Sequence, residues 1–399
     1  MHSDRFIFDR KVCHIFHFLR FFNQSFIEIP IRIRKITLVL QKAATERFVF
    51  SSSITADVWH PQKDAKSYEW WYFDALSDDG NEAVVIVFLD NFIFSPRYNA
   101  TGKTNGAESE QKSERFPAVS ITYYRDGKQV YRAVNEYPSE QFSASEDAPH
   151  CTIGQNSFHY ESASYGSGFV VSIDVPLSRN RRLEAEFEWL SIESDFGTAP
   201  FCYNESSHCW NMVAPRSDVS GKITVSDSSG RKLEVRTFRG TGYHDHNLDN
   251  RWLAKTVRDW HWGRAHFADR TAIFYRYCEI GDASPATKLF VIKDGELDER
   301  EVLYEEQSYA RDKFGIRYPT NLRMLSEDGV RLDSKPLKII DSSLYHLRFL
   351  SSITLTLTDG KQHHTSGITE FIAPKALKHR WLNRLSDLRT GRNGKGPLI

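Results

Sequence analysis

Gly240-Thr-Gly-Tyr-His-Asp-His-Asn247 and, beyond Trp252, Arg258-Asp-Trp-His-Trp-Gly-Arg264 form the stretch from which the rest of the chain is read. In an extended strand, successive side chains point to opposite faces. Tyr243, Asp245 and Asn247 therefore share one face, and His244 and His246 share the other. Trp260, Trp262 and Arg264 make a second same-face set on an adjoining strand, placing an aromatic wall beside a carboxylate. Gly240, Gly242 and Gly263 leave room for close backbone approach or a bulge. The stretch predicts a sheet with one face able to protonate a substrate and tryptophans able to face a cation.

Upstream, Tyr68-Glu-Trp-Trp-Tyr-Phe-Asp74 alternates in the same way, with Glu69, Trp71 and Phe73 on one face and Tyr68, Trp70, Tyr72 and Asp74 on the other. Ser77-Asp-Asp-Gly80, Arg125-Asp-Gly127 and Ser226-Asp-Ser-Ser-Gly230 are hairpin turns. Apolar and aromatic runs at 83–89, 118–124, 129–135, 157–160, 168–175 and 182–190 read as short strands. So do 271–277, 288–292, 317–320, 338–340, 345–352, 353–358 and 366–372. Helical periodicity is confined to 375–388. The expectation is an all-β protein of two antiparallel barrel or sandwich domains with a short C-terminal helix. Residues 1–54 are an extension, 55–215 and 216–389 the two β domains, 390–399 a flexible tail, and 100–115 a polar surface loop.

The 399 residues carry 52 basic and 52 acidic side chains, so no global field invites nucleic acid. An aromatic content of 13% favours strands and apolar cavities, and hence a lipophilic small-molecule partner. No uncharged apolar run is long enough to span a bilayer as a helix. The five cysteines contain no Cys-x-x-Cys pair and read as reduced thiols, with Cys202–Cys209 pairing the weaker alternative. That points to the cytoplasm. The first fifty residues hold nine basic and four acidic side chains. They fit a basic membrane-surface segment, a packed extension or upstream sequence from a misplaced start, and the first would add peripheral contact at the inner membrane. His244-x-His246, with His261 and His266 nearby, has the spacing of a strand-borne metal pair, but the spacing is common and no metal is expected.

Five ordered motifs carry a resemblance: Tyr68-Glu-Trp-Trp-Tyr-Phe-Asp-Ala-Leu-Ser-Asp-Asp-Gly80, Phe94-Ser-Pro-Arg-Tyr98, His208-Cys-Trp210 with Ala214-Pro-Arg216, Gly242-Tyr-His-Asp-His-Asn247, and Asp259-Trp-His-Trp-Gly-Arg264. Over roughly residues 55 to 375 the chain resembles the carotenoid 1,2-hydratases, or hydroxyneurosporene synthases. These belong to a wider lipocalin-like group that includes fungal Diels-Alderases and a plant-pathogen phytoalexin hydratase. The resemblance implies two lipocalin-like β domains with a ligand cavity in or between them, no cofactor, and addition of water across a terminal isoprenoid double bond. It also implies that a His-x-Trp (His208, Trp210) and a Tyr-x-Asp (Tyr243, Asp245) are the functional residues. The N-terminal extension, the 100–115 insert and a longer stretch between the two motifs depart from the hydratases and leave the substrate open.

Hydrating a trisubstituted alkene requires protonating carbon and sheltering a tertiary cation until water adds. Burial among aromatics would keep Asp245 protonated near neutral pH. Tyr243 would orient it or relay a proton, and His208 would position or deprotonate the water. Trp210, Trp260 and Trp262 offer π faces worth ~0.5–2 kcal/mol each to a cation. Trp71, Glu69, Trp260, Trp262, Arg264 and Asn247 are expected to line the substrate, with Glu69 a second acid. Structural alternatives stand beside each of these: a Tyr243–Asp245 pair held by backbone or Arg264, His208 as a core histidine, and the tryptophans as packing. The expected function is a cofactor-independent hydratase of an acyclic carotenoid or related isoprenoid. The alternatives are a lipocalin-like cyclase or pericyclase of natural-product biosynthesis, or a lipophile carrier without catalysis.

Overall fold

A computed structural model of the chain describes residues 47–61, 64–100, 114–197 and 207–398. The hairpins expected from the turn signals are present. β1 (Phe48–Ser51) precedes β2 (Tyr68–Ser77), which turns at Gly80 into β3 (Glu82–Leu89). β4 (Ala118–Arg125) turns into β5 (Lys128–Glu136) through Asp126 and Gly127, both in the left-handed region that a two-residue hairpin requires. β6 (Phe142–Ala144), β7 (His150–Ile153), β8 (Asn156–Ala163), β9 (Gly166–Leu177) and β10 (Arg181–Glu193) continue the meander. It reaches the long hairpin of β11 (His208–Ser226) and β12 (Lys232–Asp249).

These strands form one curled sheet in the order β5-β4-β3-β2-β12-β11-β10-β9-β8-β7-β6, and β1 pairs parallel with β11. β12 is central, paired with β2 along its C-terminal half so that Asp245 lies opposite Tyr72, His246 opposite Trp71 and Asn247 opposite Trp70. Gly240 allows the close approach there, since a Cβ would lie 1.9 Å from Leu76 O.

The remaining strands close into a barrel of eight. They are β13 (Val257–His266), β14 (Thr271–Glu279), β15 (Ala286–Lys293), β16 (Glu296–Arg311), β17 (Arg317–Ser326), β18 (Arg331–Ser342), β19 (His346–Thr356) and β20 (Gln362–Ile372). Among the described residues three short α-helices interrupt the strands: α1 (Pro96–Ala100), α2 (Leu253–Thr256) and, near the end as expected, α3 (Arg380–Asp387). No helix among the described residues is long and apolar enough to cross a membrane.

The all-β, two-unit expectation stands, with corrections. The change of sheet falls at Asn250–Thr256 and not near Pro215, which sits inside β11 at a register irregularity between Ala214 and Ser217. A proline lacks a ladder donor, and a local slip accommodates it without ending the strand. The tail expected to be flexible is docked: β21 (Gly391–Arg392) pairs parallel with β5, where a Cβ on Gly391 would meet Asn135 Oδ1 at 2.0 Å. Cys209 is disulfide-bonded, whereas Cys151 and Cys278 are free and buried. The basic segment before residue 47 and the core of the 100–115 loop lie outside the described residues.

Among the described residues, three large cores follow from the alternation of side chains, with two small clusters beside them. One fills the curled sheet with Trp71, Phe73, Phe158 and Trp189. A second fills the barrel with Ala265, Phe274, Leu289 and Met324. The third lies between sheet and barrel and joins Trp70, Tyr72, Trp210 and Tyr243 to Trp260, Trp262 and Tyr275.

Candidate active site

The third core is not completely filled. A cavity of about 440 Å³ opens within it, walled by Trp70, Tyr72, Asp245 and Asn247 from the sheet and by Trp260, Trp262, Tyr275, Arg348 and Glu370 from the barrel. The rings are layered: Trp70 stacks on Trp260 at 5.9 Å, and Tyr72 meets Trp262 edge-on at 5.4 Å.

Asp245 is buried in this wall and accepts three side-chain hydrogen bonds. Trp210 Nε1 donates to Oδ2 at 2.9 Å, Tyr243 Oη donates to the same oxygen at 2.7 Å, and Asn247 Nδ2 donates to Oδ1 at 2.8 Å. A carboxyl group offers about four lone-pair positions. Three are taken, which leaves one position, on Oδ1, for a proton. Burial raises the Asp245 pKa to about 7; the bonds from Trp210 and Tyr243 pull it down, and the nearby Glu370 and Asp74 push it up. The group is thus a carboxylic acid for much of its time at neutral pH.

His208 is fully buried and does not line the cavity. Its Nε2 lies 2.8 Å from Tyr275 Oη, and its Nδ1 faces Asp249 Oδ2 at 3.9 Å. Burial, with the charge of Arg251, lowers its pKa to about 3, so the ring is neutral. With the proton on Nδ1, towards Asp249, Nε2 accepts from Tyr275. Tyr275 Oη is also 3.4 Å from Asn247 Oδ1. Tyr275 has one hydroxyl proton, so its contacts to His208 Nε2 and to Asn247 Oδ1 are alternatives, and the shorter one, to His208, takes it. The hydroxyl of Tyr275, not the imidazole, is what the cavity meets.

At the other end Glu370 is held by Arg348 Nε at 2.6 Å and Tyr72 Oη at 2.9 Å, with His346 Nε2 3.0 Å from its second oxygen. Burial raises its pKa, but Arg348 and His346 outweigh that and bring it to about 2, so it is ionised.

Asp245, Asn247, Trp260 and Trp262 line the cavity as expected, and Tyr243 and Trp210 stand directly behind the acid. Three other expected residues do not reach it. Trp71 and Glu69 occupy the opposite face of β2, where Trp71 stacks on His246 at 4.7 Å. Their neighbours Trp70 and Tyr72, one register step away, take the cavity positions. Arg264 is buried in an ion pair with Asp74, its Nε 2.7 Å from Oδ1, and ties β13 to β2 instead of touching Asp245. Tyr275, Arg348 and Glu370 were missed. Tyr275 carried a usable signal, since alternation along 271–277 puts it beside Trp262, its cross-strand partner. Arg348 and Glu370 are cross-strand partners in the β19–β20 hairpin, and their pairing follows from a register that neither strand shows by itself.

The face of β12 turned away from the cavity holds a second polar cluster. Asp57 bridges His244 Nε2 (2.9 Å) and His246 Nδ1 (3.2 Å), and Glu69 Oε1 bridges His246 Nε2 (2.7 Å) and His60 Nδ1 (3.0 Å). The ligand-type atoms of His60, Glu69 and His246 lie within 4.8 Å of one another. His244 gives its other nitrogen to Tyr72 O at 3.0 Å. Both nitrogens of the expected His244-x-His246 pair thus face protein acceptors. Burial disfavours charge on His246, but Asp57 and Glu69 overcome it and raise its pKa to about 9.

The carotenoid hydratase (CrtC) family model matches residues 85–396. The chain belongs to the carotenoid hydratase family. A protein of Chlorobaculum tepidum named hydroxyneurosporene dehydrogenase is 26% identical over 357 residues, 86% of this chain and 93% of its own length. The acyclic carotenoid 1,2-hydratase of Rubrivivax gelatinosus is 28% identical over 212 residues, 52% of this chain and 47% of that one. Among solved structures, CghA aligns with a TM-score of 0.53 at 15% identity, over 77% of this chain and 88% of CghA, which shows a shared fold. The fold expected from the motifs is therefore shown, while the family rests on the match of its model over residues 85–396.

Proposed function

We propose that the protein is a cofactor-independent hydratase that adds water across the terminal double bond of an acyclic carotenoid or related isoprenoid, with Asp245 as the acid. The observation that carries this reading is a buried carboxyl in an aromatic cavity, pKa raised to about 7, with every donor around it leaving one oxygen position for a proton. The Asp245 proton passes to the less substituted, CH carbon of the terminal double bond, and the π pair becomes the new C–H bond. The tertiary cation left behind faces the rings of Trp70, Trp260 and Trp262. Water held by Tyr275 Oη forms the C–O bond, and its surplus proton returns to the Asp245 carboxylate, which closes the cycle. In this scheme Tyr243, Trp210, Asn247 and His208 are positioning residues. They hold the acid and the tyrosine hydroxyl, and neutral His208 is a hydrogen-bond acceptor, not a base.

The test is mass analysis of products from lycopene or neurosporene in detergent and heavy-oxygen water, for wild type and Asp245→Asn. Gain of one labelled water by the wild type alone supports the hydratase. Loss of two hydrogens without oxygen gain would instead fit the dehydrogenase name borne by the Chlorobaculum relative. A rearranged product of unchanged mass that survives Asp245→Asn would favour the cyclase alternative, and tight binding of an unchanged lipophile the carrier.

A further inference from the structure

The cavity wall is completed by α3 and the residues after it, with Leu385, Ser386, Leu388, Arg389 and Thr390 reaching into the lining. Trp381, Leu385 and Leu388 stand at helical spacing i, i+4 and i+7, so they share one face. That face is not covered: the three side chains are 67%, 46% and 41% exposed. Phe314, on the β16–β17 turn, lines the same cavity and is 43% exposed. Apolar side chains that both line a cavity and meet solvent mark its mouth. The charge around them is one-sided. Between residues 375 and 395 stand seven basic residues (Lys375, Lys378, Arg380, Arg384, Arg389, Arg392 and Lys395) and a single acid, Asp387, in a chain whose net charge is zero. Asp387 is itself paired with Arg392 and lies 3.9 Å from Arg97.

We propose that this face docks on the surface of an anionic lipid bilayer, with Trp381, Leu385, Leu388 and Phe314 entering the headgroup region and the surrounding basic residues meeting lipid phosphates. The bilayer is favoured over a second protein copy because of the charge: two copies of a face this basic repel, whereas an anionic membrane attracts it. The inference rests on the lipophilic-substrate reading of the cavity and gives that substrate a route. Cavities of about 300–1,000 Å³ bury one drug-sized ligand, so this one admits the end of a long polyene while the remainder stays in the membrane.

The experiment is co-sedimentation of the full chain, without substrate, with phosphatidylcholine vesicles and with vesicles containing phosphatidylglycerol, at low and high salt. Binding is expected to the anionic vesicles only and to weaken at high salt. The double variant Lys378→Glu/Arg384→Glu is expected to bind at least about tenfold more weakly. Trp381→Ala should also weaken binding while leaving turnover of detergent-solubilised substrate unchanged. Equal affinity for neutral and anionic vesicles, no binding to either, or a concentration-dependent dimer that Trp381→Ala abolishes would each overturn the proposal. Because binding is read without turnover, its failure and that of the hydratase reading are separable, and the wild-type salt dependence serves even where a variant misfolds.

Discussion

Replacing Asp245 with asparagine removes the proton while keeping the shape. The amide oxygen can accept from Trp210 Nε1 and Tyr243 Oη as Oδ2 does, at 2.9 and 2.7 Å. The amide NH2 then faces the Asn247 NH2, a clash relieved when Asn247 turns its carbonyl inward. That turn gives up the 3.4 Å contact with Tyr275, which keeps its 2.8 Å bond to His208. The fold cost is about one weak hydrogen bond, ~1 kcal/mol. The rate cost is that of losing a general acid, ~10²–10⁴-fold in kcat.

The wild-type pH profile follows from the same group. With a pKa of about 7, Asp245 is protonated in about nine molecules of ten at pH 6 and about one in ten at pH 8, so kcat falls roughly tenfold across that interval. Stability moves in the same direction. The folded pKa lies above the unfolded carboxylate value, so the stability linked to this proton is present below the unfolded pKa and is lost as pH rises through about 7. Integrating between pH 6 and 8 gives a loss of ~1.4 kcal/mol that Asp245→Asn does not suffer. The variant should therefore gain on the wild type in thermal stability as pH rises, while remaining inactive throughout. The assays are a kcat–pH profile by product chromatography and paired thermal melts at pH 6 and 8. A flat profile, or more than a tenth of wild-type activity in the variant, would refute the assignment of the acid.

Other outcomes are expected elsewhere in the site. Tyr275→Phe removes the hydroxyl that would hold water and should lower the hydration rate ~10–100-fold with little change in KM, read from steady-state kinetics. Trp262→Ala removes a cavity wall that also packs on Tyr243 at 4.9 Å; it should cost ~3–5 kcal/mol of stability by denaturant unfolding, and a variant unchanged in both stability and kcat would deny the ring either role. Glu69→Gln leaves charged His246 with Asp57 alone and should destabilise by ~3–5 kcal/mol. The His246 pKa is raised above its unfolded value, so its stabilising share is fully present below pH 6.5 and lost as pH rises through about 9, and thermal melts should show a decline between pH 7 and 9.5 that His246→Gln lacks.

What the sequence made legible was the two-faced character of β12. Period-two alternation is a local property, so Tyr243, Asp245 and Asn247 could be assigned to one face and His244 and His246 to the other before any partner strand was known. Which face of β2 met the acid was not local. It depended on register, and the pairing of Asp245 with Tyr72 put Trp70 and Tyr72 in the cavity while Trp71 and Glu69 went to the other core. The end of the first sheet was obscured because Pro215 reads as a breaker, whereas β11 absorbs it as an irregularity. β16 was missed because its charged, largely exposed run hides a strand whose pairing with β15 and β17 is supplied by the barrel. Arg264 looked like a ligand for Asp245 only because Asp74, 190 residues away in sequence, was not yet beside it.

The two faces of β12 are also mechanically linked. An acid that must stay protonated is held only by side-chain donors, and those donors need a backbone that does not drift. On the far side of the same strand His244 binds Tyr72 O and Asp57, and His246 binds Asp57 and Glu69, so β12 is tied both to β2 and to the segment before it. Ionised carboxylates on that face keep their charge by pairing with imidazoles, whereas the carboxyl on the cavity face meets only neutral donors and keeps its proton. One strand thus separates two electrostatic environments a residue apart. If the ion cluster serves as this scaffold, Glu69→Gln should broaden the Asp245 titration and lower kcat even at temperatures where the variant is fully folded. Restoring a carboxylate there with Glu69→Asp should recover part of both. An unchanged pH profile in folded Glu69→Gln would confine the cluster to stability alone.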